Sequence, residues 1–166
     1  TKIYQLVRTR IRKKKIIMKQ FEFDRNFIEA KFSEAETFLF DKQNVYQIKY
    51  ENFDKTTFDK LNSDLLHNVS NKFIVYCLWL GDTQNDLKPK YVGHAKNTIS
   101  RQRLRAHLTK KNKATGAQLD KITKYLEDKK YFGLTYLIIE PSYMRTSLEE
   151  WLINKNIDKL EWNKNK

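Results

Sequence analysis

The stretch Phe73–Val92, FIVYCLWLGDTQNDLKPKYV, decides the fold. Its opening run FIVYCLWL is apolar or aromatic throughout, with β-branched members, and is bounded by Asn71 before and Gly81-Asp82 after. A run this short and this uniformly apolar predicts a strand buried on both faces, which needs cover on each side. The polar loop GDTQNDLKP then leads to Lys90-Tyr91-Val92, a second strand that closes a hairpin.

Toward the C-terminus, the tract after Gly93 predicts a basic helix from about Ser100 to Lys111, carrying Arg101, Arg103, Arg105, His107, Lys110 and Lys111. Another helix is expected over Ala117–Lys129, with Leu119, Ile122 and Leu126 inward. YFGLTYLIIE reads as a third strand that Pro141 stops. A last helix opens near Thr146 and runs to Asn156, with Leu148, Trp151 and Leu152 apolar. Thr146 and Glu149 stand at capping-box spacing, so the plain role for Glu149 is to tie back its own helix start.

Upstream of Phe73, residues 21–70 read as a mainly helical N-terminal appendage. Ser33 and Glu36 have capping-box spacing ahead of Phe38 and Leu39, and Thr57 is placed to cap a helix with Phe58, Leu61, Leu65 and Val69 on one face. Val45–Tyr50 alternates weakly, as a short strand would. Residues 1–20 form a basic arm to which no fold is assigned. Three segments are thus expected: the arm, the appendage, and a main domain over residues 71–166.

The chain has 166 residues, 40% of them hydrophobic, enough for a core of its own, and a formal charge of +13. That balance points to a polyanionic partner, of which nucleic acid is the commonest. The charge is uneven: residues 1–20 hold 8 Lys and Arg and no acid, residues 21–70 hold 10 acids against 6 bases, and residues 86–113 hold 9 bases against Asp86. Only the last tract lies among motif-like residues. The single cysteine, Cys77, excludes a disulfide framework or a Cys-based zinc site within the chain. With no apolar run of bilayer length and no signal-peptide pattern, the expectation is a cytoplasmic protein with no membrane partner.

Val75-Tyr76, then Tyr91-Val92-Gly93, then Arg103 with His107 four residues later, then Glu149 heading LEEWLI, then Asn163 follow one another in an order that resembles the GIY-YIG nuclease family. The resemblance covers roughly residues 72–165. Each piece alone is weak; the composite, on the expected strand, strand, helix and helix, is more specific. Ile74 departs from the family's usual glycine, and a longer interval after Tyr91 lets Arg101 compete with Arg103. Arg103 is preferred because it keeps the four-residue step to His107.

The resemblance implies an α+β fold, an α/β sandwich whose small three-stranded antiparallel sheet is flanked by helices. It implies a DNA endonuclease that hydrolyses phosphodiester bonds with Mg²⁺, for which Mn²⁺ substitutes, in the manner of restriction or mobile-element nucleases. Glu149 would hold the metal, with Glu150 as the fallback, and Arg103 would grip a phosphate oxygen. Tyr76 and Tyr91 would flank the attacking water. A tyrosine or His107 would serve as general base, and a phenol, with a reference pKa of about 10, needs nearby cations such as Arg103, Lys90 and the metal for that role. Lys90, Arg101, Arg105, Lys110, Lys111 and Asn163 would contact nucleic acid. Gly93 would end its strand, make the turn and admit a phosphate to main-chain N–H groups. Cutting both strands from one site calls for a homodimer or a second visit. The rival expectation is a non-catalytic nucleic-acid-binding module of the same fold, whose binding weakens steeply with salt.

Overall fold

The computed structural model describes residues 19–51, 55–109, 122–124, 128 and 130–164, apart from the side chains of Lys55 and His107. In chain order the elements are α1 (Arg25–Leu39), β1 (Tyr46–Gln47), α2 (Lys55–Leu61), α3 (Ser63–Val69), β2 (Ile74–Gly81), β3 (Lys88–Ala95), α4 (Ser100–Thr109), β4 (Tyr131–Ile138) and α5 (Met144–Asn156). Short 3-10 turns occupy Lys42–Asn44, Gln84–Asp86 and Glu161–Asn163. Of the expected 117–129 helix, Ile122–Lys124 is described, helical, with Ile122 buried. Among the described residues no helix is long and apolar enough to cross a membrane.

The fold is α+β around one antiparallel sheet of order β1-β4-β2-β3. This is four strands where three were expected. The addition is β1, which pairs Tyr46 with Leu134 and Gln47 with Gly133 on the outer edge of β4. β1 lies within Val45–Tyr50, whose weak alternation predicts a short strand, but that alternation does not say which sheet it joins.

β2 is the strand the opening run predicted, and it is paired on both sides. Successive side chains of a strand point to opposite faces, so its two sets separate cleanly. Ile74, Tyr76, Leu78 and Leu80 pack with Phe58 of α2, Leu65, Leu66 and Val69 of α3, and Leu104 and Leu108 of α4. Val75, Cys77 and Trp79 pack with Phe32 and Leu39 of α1 and Leu148 and Leu152 of α5. Residues 21–70 thus supply helices to both layers and a strand to the sheet.

Buried polar groups tie these layers together. Thr135 of β4 accepts a hydrogen bond from Trp79 Nε1 at 3.1 Å and donates one to the Leu39 carbonyl at 2.6 Å. Asn62 accepts from the Lys49 N–H at 3.0 Å and donates to the Lys49 carbonyl at 2.9 Å, acting as a one-residue strand partner.

All three expected caps fall elsewhere: Thr57 lies inside α2, which begins at Lys55, and the helix expected to run on to Val69 is divided at Asn62 into α2 and α3. α1 begins eight residues before Ser33, and its cap is Asp24, whose carboxylate accepts from the Phe27 N–H at 3.0 Å. α5 begins at Met144 with Tyr143 at its cap and no side-chain cap bond, so Thr146 and Glu149 lie inside the helix. A capping-box spacing recurs by chance within helices, because residues three apart share a face.

Glu36 is freed from capping and instead fastens α1 to α5. It accepts from Lys155 Nζ at 2.6 Å and from Asn156 Nδ2 at 2.7 Å. Burial by itself raises the carboxyl pKa, but these bonds and the charges of Lys155 and Lys159 outweigh it and hold Glu36 below its ordinary value. A carboxyl lowered in the folded state stabilises above its unfolded pKa, and that contribution is lost as pH falls. Glu36→Gln is expected to cost about 1 kcal/mol at neutral pH, with the gap to wild type closing as pH drops through the carboxylate range, as read by urea denaturation across a pH series.

Candidate functional site

The site lies where the β2–β3 hairpin meets α4 on one face of the sheet and α5 on the other. β3 is an edge strand in this sheet, and its pairing runs without break from Ile74↔Ala95 through Leu78↔Tyr91. Between Leu78 and Trp79 the partner skips from Tyr91 to Pro89, so Lys90 is the extra residue of a bulge.

Gly93 is not at a turn. It sits inside β3 opposite Tyr76, and the strand continues to Ala95. Its role is steric: a Cβ there would stand 2.8 Å from the Tyr76 Cζ and hydroxyl and 2.8 Å from Tyr91 Cε1. The missing side chain lets both rings converge, with centroids 6.2 Å apart and an interplanar angle of 40°. Both tyrosines are fully buried on the α4 face.

Arg103 projects from α4 against Tyr76, close enough for each group to shift the other. Burial lowers the Arg103 pKa, but the neighbouring Tyr76, Tyr91 and Glu149 outweigh it, so the guanidinium is held in its charged form. Its Nε is buried and finds no hydrogen-bond partner among the described residues. A buried donor in that condition is costly to leave unmatched, and an anionic oxygen would satisfy it. Arg101, its competitor in the sequence, is exposed.

Burial pushes the Tyr76 hydroxyl above the ordinary phenol range, Tyr91 and Glu149 add to the rise, and Arg103 only partly opposes it. Within the protein Tyr76 is therefore a neutral phenol at neutral pH. Of the cations expected to favour a phenolate, Arg103 faces the hydroxyl and lowers its pKa, but by less than desolvation raises it. Lys90 instead pairs with Glu161 at 2.9 Å.

Glu149 approaches from α5, and its charge is felt by both Tyr76 and Arg103. Its Oε2 lies 2.5 Å from Nδ1 of His94 on β3, a residue the motif reading passed over. The signal for His94 was present: it follows Gly93 directly, so strand alternation turns it to the opposite face, toward the helix that carries Glu149. Both side chains retain some exposure, 23% for His94 and 13% for Glu149. Glu150 is exposed. Among the described residues no three His, Cys, Asp or Glu side chains converge; His94 and Glu149 meet as a pair.

Other expected contacts turn out to be structural ties. Asn163 is buried; it accepts from the Val92 N–H at 2.8 Å and donates to the Val92 carbonyl at 2.9 Å, occupying the outer edge of β3. Both polar atoms of its amide are used in these backbone bonds. Arg105 bonds Asp59 at 2.8 Å, joining α4 to α2. Lys110, Lys111 and the side chain of His107 lie outside the described residues, though His107 itself belongs to α4. A cleft of about 380 Å³ lined by Lys42, Gln43, Gln47, Gln84 and Asn85 borders β1, away from all of these groups.

Comparison with known proteins adds no relative: no protein-family model matches the chain, and neither does any curated protein or solved structure.

Gly93→Ala tests the ring packing. The added methyl meets two rings that have no room to retreat, so a loss of about 2 kcal/mol or more is expected, together with an altered near-ultraviolet circular dichroism band from the tyrosines. An unchanged melting temperature and spectrum would show that the rings tolerate a Cβ and that the glycine is incidental.

Proposed function

We propose that this chain is a divalent-metal-dependent endonuclease of GIY-YIG type that hydrolyses phosphodiester bonds in DNA. The observation that carries the reading is the meeting at one sheet edge of two tyrosines, an arginine with an unmatched buried donor, and a carboxylate, each from a different element: β2, β3, α4 and α5. Four separately placed groups of this chemistry are hard to account for as packing alone.

Glu149 suits a hard divalent ion, Mg²⁺ with Mn²⁺ as substitute, since such an ion accepts one carboxylate and fills its shell with water and phosphate oxygens. Once bound, it would screen the charge that grows on the phosphate and steady the leaving oxygen. Arg103 offers its Nε and fork to a non-bridging oxygen, a contact that strengthens as charge develops there. Tyr76, as a neutral phenol, orients the attacking water through its hydroxyl. Tyr91 and His107 are the candidates to take the proton. The formal charge of +13 favours a polyanionic substrate and a salt-sensitive encounter.

The test is cleavage of supercoiled plasmid with Mg²⁺, alongside EDTA and alongside Glu149→Gln. Wild type is expected to nick or linearise the plasmid, while chelation abolishes cutting and the substitution lowers the rate by about a hundredfold or more. A gel shift without cleavage by any of the three, across plasmids of differing sequence, would replace this reading with a non-catalytic binding module.

A further inference from the structure

We infer that His94 is a second metal ligand, so that Glu149 and His94 together grip the ion and favour Mn²⁺ over Mg²⁺; this rests on the reading of Glu149 as the metal-holding carboxylate. The geometry is direct. An imidazole nitrogen and a carboxylate oxygen lie 2.5 Å apart, brought together from β3 and α5 across a sequence separation of 55 residues. In the metal-free protein a proton on Nδ1, donated to the carboxylate, satisfies that contact.

An octahedral ion holds neighbouring donors about 3 Å apart. The two atoms need to separate by only about half an ångström to bind one ion side by side. Either side chain can supply this by a small rotation, since neither is sealed in the core. To bind the ion, the Nδ1 proton is lost to solvent and the ring carries its one N–H on Nε2, presenting the Nδ1 lone pair to the metal.

His94 is a polar residue on a face otherwise built from apolar side chains. Its cross-strand partner is Val75, and it belongs to neither buried cluster. Strand alternation placed it on the α5 face, and α5 presents Glu149 there rather than an apolar residue. Imidazole nitrogen is a poor ligand for Mg²⁺ and a good one for softer first-row ions, whereas carboxylate serves both. A mixed pair of this kind suits Mn²⁺, which accepts the octahedral oxygen shell of Mg²⁺ and the nitrogen as well.

The experiment is direct metal binding to the full chain, measured by calorimetry with Mn²⁺ and with Mg²⁺, and by pulsed electron paramagnetic resonance of bound Mn²⁺. Wild type is expected to bind Mn²⁺ at least about tenfold tighter than Mg²⁺ and to show a nitrogen coupling to the metal. His94→Ala should erase the coupling and most of the preference, changing Mg²⁺ affinity less than about threefold. His94→Asn, which can still donate to Glu149, should behave like His94→Ala, and it carries the test if a thermal melt shows the alanine variant unfolded. Glu149→Gln should weaken both ions.

Absence of the nitrogen coupling in wild type overturns the inference, as does a His94→Asn protein that keeps the Mn²⁺ preference, since His94 would then only orient the carboxylate. Undiminished metal binding by Glu149→Gln overturns both this inference and the metal role of Glu149. Nitrogen-coupled Mn²⁺ in a protein that cuts no plasmid supports the site and sinks the nuclease reading alone.

Discussion

A central strand that is apolar on both faces cannot be left with either face in water. In this chain β2 carries Ile74, Tyr76, Leu78 and Leu80 toward one helical layer and Val75, Cys77 and Trp79 toward the other. Burying a large aliphatic side chain contributes about 1.5–3 kcal/mol relative to leaving it exposed, so the demand for two layers is strong. It is met by α2, α3 and α4 on one side and by α1 and α5 on the other. The site inherits this arrangement. Arg103 and Glu149 arrive from opposite layers, and the place where groups from opposite layers can meet is the edge of the sheet, which is β3.

That edge is held in place by side chains that mimic a missing neighbour. An edge strand leaves outward N–H and C=O groups that invite another chain. At Val92 both are taken by the Asn163 amide, and beside it the bulge residue Lys90 is anchored to Glu161. The turn Glu161–Asn163 therefore fixes the segment that carries Tyr91, Gly93 and His94. Asn62 uses the same device on Lys49.

Ion pairs divide the positive charge. Arg105 is spent on Asp59, Lys90 on Glu161 and Lys155 on Glu36, so a count of basic residues overstates what is available to a polyanion. Arg103 differs from these because it faces two phenols and its Nε finds no partner among the described residues. The electrostatics of the site follow from depth: desolvation keeps Tyr76 protonated, while Arg103, beside two tyrosines and a carboxylate, keeps its charge.

The sequence by itself determined the hairpin, the third long strand and the basic and C-terminal helices, because each has a run or period long enough to announce its environment. It also marked Tyr76, Tyr91, Gly93, Arg103 and Glu149 as residues worth placing. Only the tertiary structure decided what Gly93 does, since a glycine reads alike at a turn and beneath two rings. It alone moved Asn163 and Arg105 from the ligand side to the fold, added β1 to the sheet, and drew the caps of α1 and α5 away from Ser33 and Thr146. It alone set His94 against Glu149. A local pattern records which face a residue takes and how deep it lies, but partners separated by tens of residues are chosen by packing, and no short window of sequence contains that choice.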